Sequence, residues 1–88
     1  MKWALEFTPD AKKQLERLDR YTQRLIASWI QKHLLGGVDP RATGKPLAAN
    51  FAGYWRYRIG DYRMVCKIVD QRILVIVMRI GHRSDVYR

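Results

Sequence analysis

The last third of the chain has the pattern of three consecutive β-strands, and no other feature restricts the fold as strongly. Residues 54–59 and 62–69 alternate apolar with polar or charged side chains, which is the period of a strand with one buried face. Between them, Gly60-Asp61 fits a two-residue hairpin loop of type II′, in which glycine comes first. Residues 73–80 are apolar apart from one arginine, as in a strand that is covered on both faces. The pattern predicts antiparallel strands joined by short turns.

The hairpin loop determines which side chains share a face, because directly paired residues point the same way. One face is predicted to carry Trp55, Tyr57, Ile59, Tyr62, Met64, Cys66 and Ile68, and the other Arg56, Arg58, Arg63 and Lys67. A three-residue turn around Asp70-Gln71 would place Arg79 opposite Arg63 on the charged face. A two-residue turn would place Arg79 among the apolar side chains, so we expect the longer turn.

The first half of the chain predicts one strand followed by two helices. Residues 2–7 alternate like a strand, and Thr8-Pro9 suits a helix start because threonine can cap it and proline fits the first helical position. A second helical stripe ends at Gly36-Gly37, before an irregular connection. We expect one small α+β domain over residues 1–88, in the order strand, helix, helix, strand, strand, strand. Its twisted, mainly antiparallel sheet should carry both helices on one face.

The charge balance favours a polyanionic partner. The 88 residues contain 17 basic and 8 acidic side chains, a formal net charge of +9. A field of this sign on so small a domain attracts nucleic acid. The alternative is that the basic residues only keep the surface soluble, and the placement of the arginines has to decide between the two.

Few functional groups other than basic side chains are available. The one cysteine, Cys66, cannot form an internal disulfide and is expected to be a small buried apolar residue. Two distant histidines provide no metal-binding spacing, so we expect neither a metal nor another cofactor. The sequence has no signal-peptide pattern and no long apolar run, which predicts a cytoplasmic protein.

The charged face can be interpreted as a site for cleaving RNA without a metal. Such cleavage needs a base for the 2′-hydroxyl, positive charge on the phosphorane and an acid for the leaving oxygen. Arg58, Arg63 and Arg83 can supply charge, but their pKa is too high for a base. His82 and Tyr87 remain as proton-transfer candidates. The alternatives are an ordinary solvated sheet face, an exposed turn histidine and a terminal aromatic that packs over the core.

Three motifs spread along the chain match one known family. They are GKPL at residues 44–47, YWRYRIGDYR at residues 54–63 and GHRSDVY at residues 81–87. Together they resemble the RelE branch of the RelE/ParE toxin superfamily, whose members fold as a compact sheet with two helices, similar to microbial ribonucleases. The two later motifs are the more specific ones, whereas the helices are generic.

The resemblance implies a type II toxin that cleaves messenger RNA in the ribosomal A site by 2′-hydroxyl attack, leaving a cyclic phosphate. The family's functional positions fall on Arg56, Arg58 and Arg63 in the hairpin and on Arg83 and Tyr87 near the end. His82 precedes the terminal arginine, and Lys45, Lys67 and Arg79 are expected to help bind RNA. Well-known members carry lysines where this chain has Arg56 and Arg58, and one of these lysines has been thought to serve as the base. Because both residues are arginine here, the role of base passes to Tyr87 or His82.

The implied partners are the ribosome, messenger RNA and an acidic antitoxin similar to RelB, in a complex for which a heterotetramer is one arrangement. No membrane partner is expected. Two other functions remain open at this point: a ParE-like protein that inhibits DNA gyrase without catalysis, and a basic RNA-binding or ribosome-binding module without catalysis.

Overall fold

A five-stranded mixed sheet forms the frame of the protein. The computed structural model describes residues 3–37, 39–47 and 53–82. Its elements in chain order are β1 (Ala4–Phe7), α1 (Pro9–Glu16), α2 (Arg20–His33), β2 (Lys45–Pro46), β3 (Tyr54–Ile59), β4 (Tyr62–Val69), a short 3₁₀ turn (Asp70–Arg72) and β5 (Leu74–His82). The strands lie in the order β1-β5-β4-β3-β2. Only the β1–β5 pair is parallel, so the predicted α+β fold with a mainly antiparallel sheet is confirmed.

Both helices begin with a capping side chain, and the first begins where Thr8-Pro9 predicts. The Ala11 backbone N–H donates to Thr8 Oγ1 (3.1 Å), and Pro9 occupies the first helical position of α1. The Thr8 hydroxyl also donates to the Met78 carbonyl (3.2 Å), which ties the start of α1 to β5. Asp19 caps α2 through hydrogen bonds from the backbone and hydroxyl of Thr22, and these bonds lower the pKa of its carboxyl.

The core lies between the two helices and one face of the sheet. Its buried side chains are Ala11, Ile26, Ile30 and Leu34 from the helical part and Tyr57, Ile59, Met64, Cys66, Val75, Val77 and Ile80 from the strands. Cys66 is fully buried, as predicted, and burial raises the pKa of its thiol. The helices thus cover one face, and the opposite face is covered by no helix within the described residues. No helix in the described part is long and apolar enough to span a membrane.

The hairpin between β3 and β4 has the predicted register. Arg58 pairs with Arg63 and Ile59 with Tyr62, and Gly60 has a positive φ of 59°. A type II′ turn requires a positive φ only at its first central residue, and Asp61, the second, has no positive φ. The two faces of this hairpin are therefore as the alternation predicts.

The connection from β4 to β5 is longer than predicted. Val69 pairs with Leu74, so four residues form the turn, and Ile73 takes a left-handed conformation with φ 50°. The prediction that Arg79 lies opposite Arg63 is wrong: Arg79 pairs with Val65, and Arg63 pairs with Gly81. The strand also continues to His82, two residues beyond the predicted end.

A β-bulge explains why Arg79 still points to the charged face. Cys66 pairs with Val77 but Val65 pairs with Arg79, so Met78 is an extra residue in β5. Without the bulge, the four-residue turn would shift the register by one and turn Arg79 toward the core. The bulge shifts the register by one more residue, which returns Arg79 to the charged face but opposite Val65.

The short strand β2 was not predicted; the sequence indicated only an irregular connection there. Lys45 pairs with Arg56 and Pro46 with Trp55, which places proline on an edge strand where it disturbs the sheet least. A Cβ on Gly44 would lie 2.7 Å from Cε1 of Tyr57, so only glycine permits this close approach. The Tyr57 ring is held in turn by its hydroxyl, which donates to the Pro40 carbonyl (2.7 Å).

We expect Gly44→Ala to destabilise the protein by about 1–3 kcal/mol, the usual cost of overpacking. The buried Tyr57 ring cannot move aside without losing its hydrogen bond to Pro40. Urea unfolding measures the effect. In a Tyr57→Leu background the same substitution should cost clearly less, and an equal cost in both backgrounds would contradict the proposed clash.

Candidate nucleic-acid interface

Six basic side chains share the sheet face opposite the helices, and we call this surface the basic face. They are Lys45, Arg56, Arg58, Arg63, Lys67 and Arg79. The register brings them together through three strand pairs, in which Lys45 lies opposite Arg56 and Arg58 opposite Arg63. Every described residue that the sequence suggested for RNA binding lies on this surface.

The Arg58–Arg63 pair is the least expected feature of the basic face. Like charges at directly opposite positions destabilise a sheet by up to about 1 kcal/mol. Arg58 Nε donates to the Gly60 carbonyl (3.3 Å), which holds its side chain along the hairpin turn. Arg63 is half-buried and its Nε atom is enclosed. An anionic group bound at this pair would relieve the repulsion.

An open pocket of about 190 Å³ lies at the β2 side of the basic face. Its lining consists of Thr43, Lys45, Arg56, Tyr57, Arg58 and Arg63. Four cationic side chains and one aliphatic hydroxyl suit a phosphate group, for which arginine provides a bidentate fork. Thr43 was not predicted, because its role depends on β2 lying beside β3.

The basic face retains most of its positive charge. Two ion pairs occur among residues 3–37, 39–47 and 53–82, Arg41–Asp70 and Arg72–Glu6. Neither pair includes Lys45, Arg56, Arg58 or Lys67, all of which are exposed or half-exposed. Several unneutralised charges around one pocket concentrate the field there.

Arg41 joins the segment that precedes β2 to the turn after β4. Its two terminal nitrogens bind the two Asp70 oxygens at 3.0 and 2.8 Å, and its guanidinium lies 5.8 Å from the centre of the Trp55 ring. The hydrogen bonds from Arg41 hold the pKa of the Asp70 carboxyl below its usual value. This clamp positions the chain just before Thr43 and Lys45, and the sequence alone did not indicate it.

The Arg41–Asp70 ion pair predicts that part of the stability of the folded protein is lost at acidic pH. A carboxyl whose pKa is lower in the folded state stabilises the protein fully above about pH 4, and this stabilisation is lost as the pH falls through the lowered pKa. The free energy of unfolding should therefore fall less steeply between about pH 5 and pH 2 for Asp70→Asn than for the parent. Arg41→Gln should reduce the same pH dependence, and the double variant should reduce it no further. Additive effects would mean that the two groups act separately.

His82 does not lie with the arginines. It pairs with Tyr62 at the end of β5, and the two rings contact edge to face with centroids 6.0 Å apart. Tyr62 is on the helix side of the sheet, so His82 is too, whereas Gly81 occupies the neighbouring position on the basic face. The expectation that His82 curls over the basic face is not met. Arg83 and Tyr87, the two other predicted residues near the end, lie outside the described residues.

Two further titratable side chains, Tyr57 beside the pocket and His33 on α2, have structural roles. Tyr57 lines the pocket, but its hydroxyl is bound to Pro40 and burial raises the pKa of this phenol. His33 packs against Trp29 with ring centroids 4.6 Å apart. No group of three or more metal-ligating side chains occurs within the described part of the chain. The described pocket thus provides positive charge and shape but no evident proton acceptor.

Sequence comparisons identify the family. Residues 5–87 match the family described as the ParE toxin of the type II toxin–antitoxin system parDE. The toxin RelG of Mycobacterium tuberculosis is 32% identical over 90 residues, covering 100% of this chain and 99% of the relative. The toxin RelE of the same organism is 33% identical over 81 residues, covering 92% of this chain and 81% of the relative.

Structural comparison gives the same answer. A chain of the RelBE2 toxin–antitoxin complex from Mycobacterium tuberculosis superposes with a TM-score of 0.76 at 30% identity, covering 97% of this chain and 95% of the other. A chain of the intact Escherichia coli RelBE complex shares the fold with a TM-score of 0.72 at 17% identity, covering 91% and 95%. The chain therefore belongs to the RelE/ParE superfamily of type II toxin–antitoxin systems, as a RelE-type toxin.

Proposed function

We propose that this toxin is a ribosome-dependent endoribonuclease that needs no metal and stops translation by cutting messenger RNA in the ribosomal A site. The observation that carries the proposal is the pocket on the basic face, where Lys45, Arg56, Arg58 and Arg63 surround a space open to a phosphodiester. The named relatives RelG and RelE support the same branch of the superfamily.

In the proposed reaction the 2′-hydroxyl oxygen attacks the adjacent phosphorus and the bond from phosphorus to the 5′-oxygen breaks. A base takes the proton of the 2′-hydroxyl, an acid gives one to the 5′-oxygen, and a 2′,3′-cyclic phosphate remains. Arg58 and Arg63 stabilise the negative charge that develops on the phosphorane. Charge in a pocket of this kind is preorganised, because the strands hold the guanidinium groups before the substrate arrives.

The proton-transfer group in this proposal is Tyr87, by resemblance to the family. Arginine keeps its proton at neutral pH, so Arg56 and Arg58 cannot take the place of a lysine base. The position of His82 beside Tyr62, away from the arginines, favours Tyr87 over His82. Arg83 would add charge at the same end of the site.

The decisive experiment maps the 5′ ends of RNA fragments in a cell-free translation reaction supplied with the purified toxin. We expect cuts within codons on a translated transcript and none on a matched transcript without a ribosome-binding site. The family match described as ParE makes gyrase inhibition the second candidate. Gyrase-linked DNA breaks without RNA cuts would establish that candidate, and ribosome binding without cuts would indicate a module that lacks catalysis.

We also propose that an acidic antitoxin similar to RelB covers the basic face, since similar folds occur in RelBE toxin–antitoxin complexes. A net charge of +9 should steer such a partner toward the toxin. The association rate constant should therefore fall as salt rises from low to physiological concentration. Stopped-flow measurements check this expectation, and a rate independent of ionic strength would contradict the electrostatic steering.

A further inference from the structure

One aromatic side chain lies on the basic face instead of in the core. Tyr54 pairs with Lys67, and the next residue, Trp55, pairs with the buried Cys66. Because successive strand residues point to opposite faces, the Tyr54 ring shares its face with Lys67 and Arg56. The Tyr54 residue is half-buried. Among the described residues, no hydrogen bond or ring contact involves the Tyr54 side chain.

Other large aromatic residues of the sheet region and of α2 are used in packing. Trp3, Trp29 and Trp55 pack against the core, and Tyr57 is buried and bound to Pro40. Tyr54 has no comparable role. A partly accessible aromatic ring placed between two cations suits a ligand that has both a flat apolar surface and a negative charge.

The spacing on β3 suits a nucleotide. Tyr54 precedes Arg56 by two residues, so their side chains leave the same face about 7 Å apart along the strand. Arg56 and Lys45 line the pocket that suits a phosphate. A base attached to a phosphate in that pocket can reach the Tyr54 ring.

We infer that Tyr54 stacks on a nucleobase of the single-stranded message next to the cleaved phosphate. The inference rests on the proposed function, because it assumes that RNA occupies the basic face. Proteins that bind single-stranded RNA combine cations along the backbone with aromatic rings under the bases, and stacking tolerates any base because every base has a flat face. Tyr54 is thus a binding residue, and it takes no part in proton transfer.

The test compares Tyr54 variants in single-turnover cleavage of a ribosome-positioned message. Tyr54→Ala should raise the toxin concentration needed for half-maximal rate roughly tenfold, with little change in the rate at saturation. Tyr54→Phe should behave like the parent, because it retains the ring. Tyr54→Leu retains apolar bulk without a ring and should fall near Tyr54→Ala; its thermal melt checks that the fold is intact. Tyr21→Ala removes an exposed aromatic side chain on α2, 74% exposed and away from the basic face, and should have no effect.

Two further readouts separate stacking from charge. A message with the fluorescent base 2-aminopurine in the A-site codon should change its fluorescence on binding the parent and much less with Tyr54→Ala. The salt dependence of binding should stay the same in Tyr54→Ala but weaken in Arg56→Ala, because only the arginine displaces counterions.

The outcomes are distinguishable. Unchanged cleavage and fluorescence in Tyr54→Ala, with an active parent, would overturn the stacking inference and leave the nuclease intact. A parent that does not cleave translated RNA under any condition would overturn the proposed function and the stacking inference with it. A loss of saturating rate in Tyr54→Ala, with unchanged half-maximal concentration, would also overturn the stacking role.

Discussion

Arg63→Ala is expected to abolish growth arrest while leaving the protein folded. Arg63 lies on the basic face, lines the pocket and pairs with Arg58, so its removal takes charge from the place where the phosphorane forms. The fold loses little, because the core lies on the opposite side of the sheet and an unfavourable like-charge pair disappears. Growth after induction and a thermal melt of the purified variant measure the two effects.

Arg24→Ala is the matched control for this experiment. Arg24 is an exposed arginine on α2, so the variant loses the same charge and the same side chain away from the basic face. It should remain fully toxic. Arg63→Lys keeps the charge without the bidentate fork and should retain only part of the toxicity. Full toxicity of a folded Arg63→Ala protein at equal expression would show that the basic face is not the site.

Tyr87→Phe is expected to slow single-turnover cleavage of a ribosome-positioned message by at least about tenfold, and the loss of a general acid or base often costs about a hundredfold. The substitution keeps the ring and removes only the hydroxyl, so the effect reports on proton transfer. His82→Gln should cost less, because the His82 ring contacts Tyr62 on the helix side of the sheet.

The pH dependence of the same reaction supplies an independent check. If the Tyr87 hydroxyl transfers the proton, the alkaline part of the profile should change in Tyr87→Phe and remain in His82→Gln. An inactive His82→Gln beside a Tyr87→Phe protein that cleaves like the parent would reverse the assignment and make histidine the proton-transfer group.

Much of the fold could be predicted because it depends on local rules. The alternation in residues 54–69 and the Gly60-Asp61 loop determined the hairpin register, since a two-residue loop allows only one pairing. Thr8 and Pro9 marked the start of the first helix, because a side-chain acceptor is needed for the free N–H groups there. The grouping of the hairpin cations on one face follows from the same register.

The tertiary structure decided what depends on contacts between distant segments. The four-residue turn and the bulge at Met78 together set the direction of Arg79, and neither has a reliable local signal. Strand β2 exists because Gly44 lets the chain approach Tyr57, so the pocket between Thr43 and the hairpin was not visible in the sequence.

The hairpin arginines and His82 show the same difference between local rules and contacts of distant segments. By itself the sequence determined that the hairpin cations share one face, because register and alternation are properties of neighbouring residues. Only the tertiary structure decided that β5 runs on to His82 and turns this ring toward Tyr62, and that Arg41 binds Asp70 across 29 positions of the chain. Those outcomes depend on how separate strands and turns pack, and each is the sum of contacts that no short stretch of sequence contains.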